Sequence, residues 1–140
     1  MAAIDLNSVR ATIEGRLATE LASSPAISVV FSNMAFDSTT QDTFVTCEVS
    51  FSANQYSLLA YNSSATNNVI GLVTINIFTE EGIGSGANFT VGERIRNLYN
   101  RVTVSNVIFD SPIGPEVLTS SPEGKFQTQI RITFNIYEDL

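Results

Sequence analysis

The chain has 140 residues and a net charge of −7, which fits a single domain over residues 1–140 and leaves too few basic residues for clustered contacts to nucleic acid. It contains no histidine and one cysteine, so Ser–His and Cys–His dyads, most catalytic zinc sites and an internal disulfide are excluded. Only 15% of the residues are charged, against roughly 25% in average soluble domains, and 42 serine, threonine and asparagine residues take their place.

The first periodic segment predicts a helix from Asp5 to Leu21. Its apolar residues recur at steps of three and four and form one stripe: Leu6, Val9, Ile13, Leu17 and Leu21. Asp5 is a suitable N-cap residue, and Pro25 ends the helix because proline cannot continue it.

From residue 27 the apolar period changes to two, which predicts strands. A short strand covers Ile27 to Phe31, and two long strands cover Thr43 to Phe51 and Val69 to Phe78. The polar segment Ser52 to Asn68 between the long strands indicates an antiparallel, extended β-hairpin.

A glycine-rich segment, Gly82 to Gly86, follows the hairpin. We expect a second helix to begin near Thr90, because Thr90 and Glu93 have the spacing of a capping box. A strand from Thr103 to Phe109 and a loop from Asp110 to Gly124 come next.

The last strand, from Phe126 to Tyr137, has the clearest alternation of apolar and polar residues in the chain. The predicted element order is therefore α-β-β-β-α-β-β. This order indicates an α+β domain in which two helices pack on one face of a mainly antiparallel sheet.

The glycine segment also fits the loose G-x-G-x-x-A form of the dinucleotide fingerprint, with Asp110 at about the offset of a ribose-binding acid. That fold needs parallel strands and a helix that begins at the glycines. The predicted hairpin and the expected helix start at Thr90 both disagree with it. A nucleotide-binding enzyme is therefore a remote alternative.

The remaining candidates for chemistry have simpler interpretations. Glu80-Glu81 and Glu138-Asp139 are adjacent acids at strand ends, whose side chains diverge and therefore favour solvation over metal binding. Cys47 lies in the apolar register of its strand, which predicts a buried thiol. We expect no enzyme activity, no catalytic residue, no cofactor and no metal.

The distribution of charge is more informative, since no charged residue occurs between Glu48 and Glu80. Aromatic and leucine residues among small polar ones are typical of contact surfaces, although an ordinary mobile hairpin tip is the alternative. The arginines of the second helix are suited to acids on a partner, or else form a solvated helix face. The candidate interface residues are Gln55, Tyr56, Leu58, Leu59, Tyr61, Arg94, Arg96 and Arg101.

Three segments carry a resemblance to a known family. They are IDLNSVRATIEGRLA in the first helix, VTINIFTEEGIGSGANFTVGERIRNLYNRV from the hairpin into the second helix, and IRITFNIYEDL at the C-terminus. With the element order, they make the chain resemble the small tail-terminator, or tail-completion, proteins of long-tailed bacteriophages.

The resemblance implies a structural virion protein that forms a ring, usually a homohexamer, at the head-proximal end of the tail tube. Such a ring ends tube polymerisation and joins the tube protein to a head-completion or neck protein, while genomic DNA passes through the lumen without specific binding. It implies assembly in the host cytoplasm and a place in the virion tail. We also expect no membrane contact, because the longest apolar stretches of the sequence are only as long as strands. Another phage structural module, a tail tube subunit or a neck stopper, is the alternative.

Overall fold

The computed structural model describes residues 4–36, 42–58, 66–119 and 121–139, with only the backbone described for residues 53, 55–58 and 139. Over these ranges the protein is an α+β domain of two helices and one mixed sheet. In chain order the elements are α1 (Leu6–Ala22), β1 (Ser28–Phe31), β2 (Phe44–Leu58), β3 (Thr66–Glu80), α2 (Gly86–Tyr99), β4 (Thr103–Val104), β5 (Val107–Phe109), β6 (Ile113–Leu118) and β7 (Lys125–Asp139).

Helix α1 forms as its sequence predicts. The Asp5 carboxylate caps it by accepting hydrogen bonds from the backbone N–H groups of Asn7 and Ser8 at 3.1 and 3.3 Å. Its apolar stripe is buried from Val9 to Leu21, whereas Leu6 at the start of the helix is 50% exposed. The cap and the stripe together fix where the helix begins and which side it buries.

The sheet has the strand order β1-β2-β3-β7-β5-β4, and β6 also pairs with β7. Strands β1 and β2 are parallel, whereas the other pairs are antiparallel. The long pair β2–β3 runs from Phe44 opposite Phe78 to Leu58 opposite Thr66. Both strands are longer than predicted, because serine, threonine and asparagine extend the backbone ladder without any apolar alternation to reveal it.

One hydrophobic cluster joins the buried stripes of both helices to alternate residues of the long strands. On β3 these residues are Val73, Ile75 and Ile77, which define the core face of the sheet. Leu72, Thr74 and Asn76 alternate with them and define the opposite face. Burial therefore alternates along the middle of β3, from Val69 to Ile77, and along β7 from Ile130 to Ile136.

A glycine makes room for a buried phenyl ring in the core. A Cβ on Gly71 would overlap the Phe134 ring, which is fully buried and meets Phe51 edge-on at 5.8 Å between ring centroids. Only a residue without a side chain fits beside Phe134, so Gly71 is a packing requirement within a strand.

Helix α2 begins at Gly86, and the expected start near Thr90 is wrong. The buried Asn88 amide accepts a hydrogen bond from the Thr79 hydroxyl at 2.6 Å and donates one to the Ile77 carbonyl at 3.2 Å. These bonds dock the first turn on the end of β3. Thr90 lies inside the helix and its hydroxyl donates to the Gly86 carbonyl, so the capping-box interpretation is also wrong.

The predicted strand from Thr103 to Phe109 is two strands, β4 and β5, joined by the two-residue turn Ser105-Asn106. Both turn residues have positive φ, 48° and 69°, as a type I′ hairpin turn requires. The usual sequence signal for this turn is Asn-Gly or Asp-Gly, and its absence explains why the break was not predicted.

Part of the predicted loop from Asp110 to Gly124 is strand β6, which pairs with β7. Proline and glycine normally argue against a strand, but here they sit at a register shift between Ile113 and Glu116, where the ladder is interrupted. The predicted element order is thus correct through α2 and wrong after it, where four strands replace two.

Candidate functional site

The predicted hairpin interface lies in the tip half of β2. Gln55, Tyr56 and Leu58 belong to this strand, whereas Leu59 and Tyr61 lie outside the described residues. Strand β1 covers the outer edge of β2 only from Phe44 to Cys47. Within the described ranges, the β2 edge from residue 48 to residue 58 pairs with no strand, so its backbone groups there are available for hydrogen bonding.

The three arginines that we predicted to lie at an interface, Arg94, Arg96 and Arg101, have different environments. The Arg94 guanidinium contacts the Glu20 carboxylate at 3.0 Å and donates to the backbone carbonyls of Ser23 and Pro25 at 3.0 and 2.8 Å. Arg94 therefore ties α2 to the C-terminal end of α1. Arg96 and Arg101 are exposed, and neither forms an ion pair in the described part of the chain.

The opposite face of the sheet is polar and carries little charge. The Asn76 side-chain oxygen accepts hydrogen bonds from the amides of Gln127 and Gln129 at 2.8 and 3.0 Å. Farther along β7, Arg131 pairs with Glu116 at 2.8 Å, and both side chains are 45% exposed. Both glutamine amides donate to Asn76 and the exposed ion pair is close to neutral, so this middle part of the face carries little net charge.

A groove lies at the end of the sheet where β2 begins and β3 ends. We call it the base groove; its volume is about 490 Å³, and its lining includes Asp42, Phe44, Phe78, Glu80, Glu123 and Lys125. The Phe44 and Phe78 rings stack at 4.7 Å between centroids, and the Lys125 ammonium lies 5.7 Å from the Phe44 centroid. Three carboxylates and one ammonium give the lining a net negative charge.

Cys47 is buried, as predicted, with 2% exposure. Burial raises the pKa of its thiol to about 12, and the negative charges of Glu14 and Glu48 act in the same direction. The thiol is therefore protonated at neutral pH and is not a nucleophile.

The glycine connector has positive φ at Gly82 and Gly84, and it leads directly into α2 at Gly86. The expected mismatch between the helix start and the glycines is therefore wrong. The other requirement of a dinucleotide site is not met, because β3 pairs antiparallel with both β2 and β7. A dinucleotide fold places this connector between parallel strands.

The adjacent acids differ in environment. Glu80 and Glu81 are exposed, but Glu138 accepts hydrogen bonds from the Asn67 amide and the Ile4 N–H at 3.0 and 2.9 Å. These bonds lower the pKa of the Glu138 carboxyl. In the described residues, no group of three or more His, Cys, Asp or Glu side chains could hold a metal ion.

Neither described helix is long and apolar enough to cross a membrane.

The base groove and the amide cluster around Asn76 were not predicted. Their residues are far apart in sequence and meet only through the registers that place Phe44 opposite Phe78 and Glu80 opposite Lys125. The predicted hairpin alone places Asp42 close to Glu80. To place Glu123 beside them, the pairing of β3 with β7 has to be known as well.

No protein-family model matches the sequence, and no curated protein matches it. Solved structures do share the fold. One of them superposes with a TM-score of 0.70 at 15% sequence identity, and the alignment covers 96% of this chain and 96% of that chain. At 15% identity this similarity shows that the two chains share an α+β fold, and it shows nothing beyond the fold.

Proposed function

We propose that this chain is a structural protein of the virion tail in a long-tailed bacteriophage. It forms a ring on the head-proximal end of the tail tube. The family resemblance implies that this ring is a hexamer. There it ends tube polymerisation and provides the surface for a head-completion or neck protein. It works by assembly and not by catalysis.

The observation that carries this proposal is the long uncharged edge of β2. Between Glu48 and Glu80 there is no charged residue, and β1 leaves the β2 edge uncovered from residue 48 to residue 58 in the described ranges. Proteins that remain monomeric protect such an edge with lysine, proline or a covering element. An edge without these protections is suited to contact with a neighbouring subunit.

The two faces of the sheet support the same proposal. We infer that both helices cover the core face, because their buried stripes share one cluster with Val73, Ile75 and Ile77. In the described part of the chain, no helix then covers the opposite face. Its Gln, Asn and Thr side chains, with few charges, are suited to a hydrated lumen or to contact with another subunit.

The net charge fits the passage of DNA. A subunit of charge −7, repeated around a ring, produces a strongly negative assembly that repels the phosphate backbone. Genomic DNA would slide through such a lumen without being held by it.

The oligomeric state of the purified protein tests the proposal directly. We expect light scattering to give one discrete oligomer and negative-stain images to show annuli. A strict monomer at high concentration, both alone and with tail tubes, would overturn the proposal. Open-ended tubes would favour a tail tube subunit, because a terminator has to stop growth.

The hairpin gives a second test. Deletion of residues 55–67 removes the tip while leaving the core cluster in place. We expect a folded subunit, shown by a cooperative thermal unfolding transition in far-ultraviolet circular dichroism, and much weaker ring formation. Unchanged assembly would remove the hairpin tip from the interface.

A further inference from the structure

The base groove has the chemistry of a binding site for a basic side chain. Asp42, Glu80 and Glu123 are exposed around it, and Lys125 is the opposing charge among its described lining residues. The Phe36 ring, 36% exposed, extends the aromatic floor by lying 4.9 Å from Phe44 between centroids. A guanidinium can pair with such carboxylates and pack its flat face on aromatic carbon.

Among the described residues, Arg16, Arg96 and Arg101 form no ion pair, and Arg16 instead donates to the Leu98 carbonyl. Arg10, Arg94 and Arg131 each pair with a glutamate in the described chain. Arg96 and Arg101 are exposed and form no such pair there. Arg96 lies in the last turn of α2 and Arg101 lies two residues after the helix, so we call this surface the arginine end.

The base groove and the arginine end lie at opposite ends of the subunit. The groove lies where Glu80 pairs with Lys125. Arg101 is followed by the β4–β5 hairpin, in which Ile108 pairs with Asn135, ten residues along β7 from Lys125. At about 3.3 Å per residue, this places the β4–β5 hairpin about 33 Å from the groove along the strand, with Arg101 just before that hairpin. Arg96 lies three residues before the end of α2, about 4.5 Å back along the helix axis.

We propose that the base groove of one copy binds the arginine end of a second copy. This inference rests on the proposed ring and specifies how its subunits meet. Complementary surfaces at opposite ends of one chain favour a head-to-tail contact, which closes into a ring when the rotation between copies permits. Each copy then contributes its groove to one neighbour and its arginines to the other.

Charge reversal in two complementary variants tests the contact. The first variant, R96E/R101E, keeps an acidic groove and acquires an acidic helix end. The second, E80K/E123K, keeps the basic helix end and acquires a basic groove. We expect each variant alone to lose ring formation, with at least about a tenfold rise in the dissociation constant, because every contact then places like charges together.

An equimolar mixture of the two variants should form rings again. In the mixture every acidic surface can meet a basic one, so subunits of the two kinds would alternate. Light scattering of each variant and of the mixture provides the measurement, and circular dichroism of each variant checks that it folds. Recovery in the mixture also shows that neither substitution damaged the subunit.

The matched control reverses a charge away from both surfaces, from the β2 edge and from the opposite face. Arg10→Glu changes an exposed side chain of α1, and we expect wild-type rings from it. Suppose that the wild type forms rings. If R96E/R101E and E80K/E123K each form rings equally well, or if their mixture does not recover ring formation, the contact is wrong and the ring proposal stands. If the wild type forms no rings, the ring proposal and this contact fall together.

Discussion

The core face and the opposite face of the sheet use alternate residues of the same strands for different purposes. On β3, Ile75 is fully buried beneath the helices' cluster, whereas its neighbour Thr74 is partly exposed on the opposite face. Apolar burial on one side stabilises the fold, and polar groups on the other side keep the surface hydrated without fixing a strong charge. The comparison shows that one strand can stabilise the core with one face and keep a polar, hydrated surface on the other.

The largest effect should come from the contact of Gly71 with Phe134. Phe134→Ala creates a cavity and should lower the free energy of unfolding by about 3–5 kcal/mol. Gly71→Ala places a methyl group against the ring and should cost at least about 1–3 kcal/mol. Because the new methyl group fills part of the cavity, we expect the double variant to lose less than the sum of the two.

Urea denaturation of the two single variants and the double variant measures this coupling. Additive losses would mean that Gly71 and Phe134 do not pack as described. The protein concentration has to be the same throughout, because subunit association contributes to the apparent stability.

Neighbouring residues on β3 provide a sharper comparison of the two faces. Ile75→Ala removes a fully buried side chain and should cost about 2–5 kcal/mol. Thr74→Ala changes the opposite face and should cost less than about 1 kcal/mol, which is the range of strand propensity. Equal losses in chemical denaturation would contradict the assignment of faces.

The smallest effect concerns pH. The Asp5 and Glu138 carboxyls have their pKa lowered by hydrogen bonds, in Asp5 chiefly from the Ser8 side chain and in Glu138 chiefly from the Asn67 amide. Their stabilising contribution is complete above the ordinary values of 3.8 and 4.5 and is lost as the pH falls through the lowered values.

Asp5→Asn and Glu138→Gln remove these titrations while keeping hydrogen-bonding side chains. We expect each variant to lose less stability than the wild type between pH 5 and acid pH, as measured by thermal unfolding. An acid transition identical to that of the wild type would show that neither carboxylate contributes to it. Since the chain has no histidine, we expect the unfolding free energy to change little between pH 6 and 8.

The predictable parts of the fold were those in which local pattern and tertiary packing agree. The stripe from Val9 to Leu21 and the alternation along β7 each bury one side of an element, so the sequence period reveals them. The start of α2 was not predictable, because the buried Asn88 network that docks it depends on the distant Thr128 as well as on Thr79. Long-range contacts override local capping signals.

The candidate surfaces also divide into parts that the sequence pattern predicts and parts that depend on long-range contacts. The uncharged run after Glu48 can be read from the sequence, and its position on an uncovered strand edge is consistent with the predicted hairpin. Arg94 was a poor candidate, since its role is set by carbonyl groups at and just after the end of α1, which are far away in sequence. The base groove could not be found, because strand registers assemble it from three separate segments.

The position of Arg94 has a consequence for how the two helices come apart. Its guanidinium donates to the Glu20 carbonyl in the last turn of α1 and to the Ser23 and Pro25 carbonyls just after the helix. Helices otherwise leave such terminal carbonyls to water or to their own cap. One residue of α2 thus acts as the C-terminal cap of α1, across 69 to 74 positions of the sequence. Fraying of the last turn of α1 and undocking of α2 are therefore one event, and amide exchange in that turn would report on both helices.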